Sequence, residues 1–110
     1  MPTDALSMLN TIKTGITDLA QGTLEDYVSQ VESDAKSITD AISGKIESWK
    51  EELISGDLTP DDVAFLIKGN SELMAINALT QAGIAKIELD KFKEGVVNII
   101  VNTLQSAIKV

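Results

Sequence analysis

The chain has no cysteine and no histidine, and all nine of its basic residues are lysine. Lack of cysteine excludes disulfides and thiolate chemistry. Lack of histidine removes the one side chain that ordinarily exchanges protons near neutral pH, and with it the Glu-x-x-His pairs of di-iron bundles. Without arginine there is no guanidinium fork to clamp phosphate, and a net charge of −8 repels a nucleic-acid backbone. Aromatic residues are equally scarce at 4%. Proline occurs twice, at Pro2 and Pro60, leaving two long stretches without a helix breaker. The start, Met1-Pro2-Thr3-Asp4, has neither the basic nor the apolar segment of a secretory leader. No full transmembrane span is evident either, so the default expectation is a cytoplasmic protein.

What remains is aliphatic. Apolar residues make up 44% of the 110 positions, mostly Leu, Ile, Val and Ala. In the first half, Leu24, Val28, Val31, Ala35, Ile38, Ile42, Ile46, Trp49 and Leu53 recur at steps of three and four, the spacing of one helix face. Upstream, Leu6, Leu9, Ile12, Ile16 and Leu19 form a second stripe, and Gln21-Gly22-Thr23 falls where the two go out of step. Thr23 with Asp26 reads as a helix start, and Thr3 as the cap of the first helix.

The strongest punctuation is Ser55-Gly56-Asp57-Leu58-Thr59-Pro60-Asp61-Asp62. Gly56 suits a helix end. Thr59 caps the next helix, Pro60 sits where no N–H is missed, and Asp61 and Asp62 lie at the positive end of the dipole. The fold class is therefore all-α. The spacing predicts an antiparallel helical hairpin or four-helix bundle whose halves join at residues 55–60, in one domain, with helices over about 4–20, 24–54, 60–89 and 90–110. A strand at Val96–Val101 would find no partner strand.

Antiparallel pairing about the turn makes facing residue numbers add to about 114, given equal rise per residue in both halves. That register sets Trp49 opposite Phe65 and Phe92 opposite Gly22. A straight helix of about 50 residues would be about 75 Å long. Kinks at Gly22 and near Gly69 or Asp90 would close the chain into a bundle; without them, neighbouring copies would have to cover an open hairpin.

The halves differ in polarity. Residues 1–59 carry 11 acidic and 4 basic side chains, whereas residues 60–110 carry 6 and 5. After Gly95 the apolar residues nearly encircle the helix, leaving a polar stripe at Asn98, Asn102, Gln105 and Lys109 that faces water or fixes register between copies. Phe92, Val96, Val97, Ile99, Ile100, Leu104 and Ile108 are therefore the expected packing or oligomer interface.

Chemistry finds few candidates. Glu51-Glu52 and Asp61-Asp62 are adjacent pairs that diverge on a helix. The segment beginning at Asp57 starts like a calcium loop but has Asp62 where Gly is needed and Lys68 where Glu is needed. Gly44-Lys45 ends like a phosphate loop, yet it lies within a helical stripe and Ile46 replaces the required Ser or Thr. No catalytic, metal or cofactor residue is assigned, and no small-molecule substrate or nucleic acid is expected.

The leading expectation is a non-enzymatic structural protein that self-associates through its apolar C-terminal half as a homo-oligomer. Alternatives are a membrane-active or lipid-binding helical protein, and a small acidic adaptor or chaperone. In general shape the chain is also similar to small helical hairpins secreted by specialised bacterial export systems, although the Trp-x-Gly turn of that group is absent.

Overall fold

Short interruptions between the helices determine how they pack. The computed structural model describes residues 5–23, 25–70 and 76–108. Along them run α1 (Ala5–Thr23), a single 3-10 turn at Glu25–Tyr27, α2 (Val28–Ile42), α3 (Ile46–Ser55), α4 (Pro60–Lys68), α5 (Asn77–Gln81) and α6 (Lys86–Ile108). No strand occurs among the described residues.

The helix expected over 24–54 is two helices. The chain turns at 43–45, where Ser43 N–H donates to the Asp40 carbonyl and Lys45 N–H to that of Ile42. Gly44 lowers the cost of leaving the helix there, and α3 starts without a side-chain cap. The bend lets α2 lie on α1 and α5 while α3 turns onto α6. Because Ile42 and Ile46 flank the turn, the apolar stripe survives it: Val31, Ala35, Ile38, Ile42, Ile46 and Trp49 are all buried.

The break expected near Gly22 falls just after it: α1 runs through to Thr23, and after the 3-10 turn α2 starts at Val28 rather than near 24. Leu19 lies so close to Gly95 on α6 that a Cβ there would come within 2.5 Å of Leu19 Cδ2. The arrangement is reciprocal, since a Cβ on Gly15 would meet Ile99 Cγ2 at 3.0 Å. Each helix thus offers a glycine to the other's branched side chain, and both pairs fit the antiparallel register drawn about the turn. Thr3 and Leu24 lie outside the described residues, as do the surroundings of Gly22.

The helix expected over 60–89 is also divided. Helix α4 stops at Lys68 with Gly69 as its cap, and a second stop comes at Gly83, whose φ of +82° favours glycine. Helix α6 therefore begins at Lys86, not at 90, and Asp90 sits within it rather than at a kink.

The turn between α3 and α4 matches its sequence signature. Gly56 is left-handed at φ +87°. Thr59 Oγ1 accepts from Asp62 N–H at 3.1 Å, and Asp62 Oδ2 accepts from Thr59 N–H at 3.0 Å, a complete capping box.

Helix α6 is the central element, touched by α1, α3 and α4. The core runs from Met8, Ile12 and Ile16 through the α2–α3 stripe to Val63, Ile67, Leu79, Phe92, Ile100 and Leu104. The longest dimension is 42 Å, far short of a straight hairpin, so the chain covers its apolar surface by folding back on itself.

Candidate functional site

The residues expected to form a packing or oligomer interface lie mostly in the chain's own interior. Phe92, Val96, Val97, Ile100 and Leu104 are buried, and Ile99 and Ile108 are half-buried. The physical reason is the extra bend at 43–45 and the closely nested α1, which together bring three helices against α6 and cover the side that carries Phe92, Val96, Val97, Ile100 and Leu104. The polar stripe lies outside that interior: in the single chain Asn98 and Asn102 are exposed and Gln105 is half-exposed. Lys109 lies outside the described residues.

Phe65 departs most from its expected position. Instead of covering Trp49, which is buried, it is 76% exposed on the outer face of α4. Val63 and Ile67 take the inward positions of that helix, and a residue two away from each must point outward. Leu66 is also exposed, as are Ile54 near the end of α3, Ile87 at the start of α6 and Leu6 on α1. Single exposed aliphatic side chains are ordinary. A phenylalanine ring so fully in water, with an exposed leucine beside it, is not.

A second feature has no local sequence signal. Asp34, on α2, is 3% exposed and surrounded by the apolar stripe. Its Oδ1 accepts from Ala78 N–H and its Oδ2 from Leu79 N–H, both at 3.0 Å. These are donors of the first turn of α5, which begins after Ile76 with no side-chain cap of its own. A carboxylate 44 and 45 residues away thus does what a local Ser or Asp would do. It is a structural contact, since both oxygens are occupied by backbone donors.

The remaining polar candidates are accounted for locally. Asp57 Oδ2 accepts from Ser55 Oγ at 3.1 Å, and Asp62 is held in the capping box, so the segment that resembles a calcium loop uses its carboxylates to shape the turn. Among the described residues no group of three acidic side chains is placed to hold a metal ion. A groove of about 300 Å³ between α4 and α6 is bordered by Lys68, Asp90, Lys93 and Glu94. A polar groove of about 460 Å³ between α1 and α2 is bordered by Lys13, Lys36 and several hydroxyls. Each mixes charges of both signs at the surface and offers no acid–base pair held away from water. No described helix is long and apolar enough to cross a membrane.

No family model, no curated protein and no solved structure matches this chain.

Proposed function

We propose that this protein is a non-enzymatic helical assembly module that associates with its own copies, and that the contact lies on the outer face of the α3–α4 region rather than on α6. The observation that carries this reading is Phe65, a large aromatic side chain left 76% exposed with the exposed Leu66 beside it, although Phe92 and Trp49 are buried. Exposed aromatic rings of this kind are the usual anchors of protein interfaces. The lack of histidine, cysteine and arginine supports a binding role over a catalytic one. The arrangement we favour is an antiparallel bundle whose halves join at residues 55–60, with α6 as its central strut and the acidic first half as its outer surface.

Light scattering tests this. The mass should rise above 11.8 kDa as concentration increases, and Phe65→Ser should suppress the rise while leaving the helical circular dichroism unchanged. A monomer at every concentration up to about 0.5 mM, which would leave any contact weaker than about 4.5 kcal/mol, would reject self-association.

A further inference from the structure

Helix α4 has one face that the fold leaves uncovered. Val63 and Ile67 point into the core, and steps of three and four residues place Asp61, Asp62, Phe65, Lys68 and Gly69 together on the other side. All five are exposed. The order along this face is acid, ring, amine. Reversed and laid upon itself, the same face sets ring against ring and each acidic end against a basic end. A parallel copy would set acid against acid. The face is therefore self-complementary for an antiparallel twin and for that orientation only. Gly69, at its rim, has no side chain to hold two backbones apart. Lys68 borders a groove with Asp90 and Glu94, yet among the described residues the ion pairs are Lys36–Asp40 and Lys50–Glu47, which leaves its amine available to a partner.

We propose that α4 is a homodimer contact: a second copy of this chain packs antiparallel against it about a two-fold axis through Phe65, with Asp62 of one copy facing Lys68 of the other. This rests on the self-association reading above and specifies its geometry. One face of a nine-residue helix buries less than the roughly 1,200 Å² of a stable complex, so the dimer is weak, with a dissociation constant on the order of 10 to 100 µM, and it weakens further with salt.

Sedimentation velocity on the full chain between about 10 and 500 µM, the range of that constant, provides the test. Wild type should pass from monomer to dimer. Phe65→Ser and Lys68→Glu should each raise the dissociation constant at least tenfold, the first by removing the ring and the second by setting acid against acid. Asp61→Lys/Asp62→Lys should also fail to self-associate, because its α4 face is basic at both ends. Mixed with Lys68→Glu it should form a heterodimer, since every charged end then meets its opposite. Circular dichroism checks that each variant is folded; if the double lysine variant is not, Asp62→Asn, whose amide oxygen can still accept from Thr59 N–H, replaces it, and its mixture with Lys68→Glu should dimerise more than Lys68→Glu alone, because one end then loses its facing acids and the other sets Lys68 against Asp62.

Wild-type dimerisation that Phe65→Ser and Lys68→Glu leave unchanged would overturn the α4 contact while self-association itself stood. A mixture no more dimeric than its components would overturn the antiparallel register. A wild type that stays monomeric throughout would remove both readings.

Discussion

Asp34→Asn is the sharpest test of how the second half is held to the first. The carboxylate accepts two backbone N–H groups of α5 at 3.0 Å each, from a position 3% exposed. Asparagine is nearly the same size, so packing is preserved. It has one acceptor oxygen, however, and its amide nitrogen would be turned towards a backbone N–H. One hydrogen bond to a charged acceptor is lost, worth about 1.5–3 kcal/mol net, and one donor is left facing another in a site with little water. The other bond survives as a weaker neutral one. The expected loss is about 2–3 kcal/mol of folding stability, and slightly more for Asp34→Ala, which leaves both donors unsatisfied. Urea unfolding followed by circular dichroism measures it, with a lower midpoint and an unchanged slope. A midpoint for Asp34→Asn equivalent to less than about 0.5 kcal/mol, the size of an ordinary surface substitution, would show that α5 is held by Ile76 and Leu79 alone and that the carboxylate contributes nothing.

Other substitutions probe other parts of the fold. Ile100→Asp buries an unpaired charge at a position with no exposure and should cost several kcal/mol, abolishing the cooperative melt; Ser48→Asp, on the exposed side of α3, should change the melting temperature by no more than a few degrees. Thr59→Ala removes the acceptor for Asp62 N–H and should cost about 1 kcal/mol in urea unfolding, whereas Pro60→Ala should be nearly neutral because α4 needs no N–H there. Gly95→Val would drive a branched side chain into Leu19, since even a bare Cβ would come within 2.5 Å of it; a loss of about 1–3 kcal/mol is expected, and thermal stability equal to wild type would contradict the close approach of α1 and α6.

How much was legible in advance follows the range of each interaction. The stripe from Val31 to Trp49 was readable because burial repeats at the period of the helix itself, and it stayed on one face even where the helix bends at Gly44. The turn at 55–62 was readable because its hydrogen bonds join residues two and three positions apart. The candidate interface was only half legible. Phe92 to Leu104 were rightly marked as residues that must be covered, but the pattern is the same whether the cover is the same chain or another. Phe65 was misplaced because a pairing register drawn about one turn assumes two straight halves, and the chain bends more often than that. Asp34 carried no signal at all: a single acid beside an apolar stripe is indistinguishable from a solvated one until the partner helix is known.

The sequence by itself determined that the chain is helical, where α4 begins, and that the stripe from Val31 to Trp49 leaves water, because periodicity, capping and turn chemistry act within a few residues. Only the tertiary structure decided that α6 is enclosed by its own chain, that a glycine and a branched side chain interlock twice between α1 and α6, that Asp34 caps a helix 44 residues away, and that Phe65 faces solvent. Those outcomes depend on how far each helix turns at its breaks, which is settled by the packing of all the elements together and not by the residues at any one break.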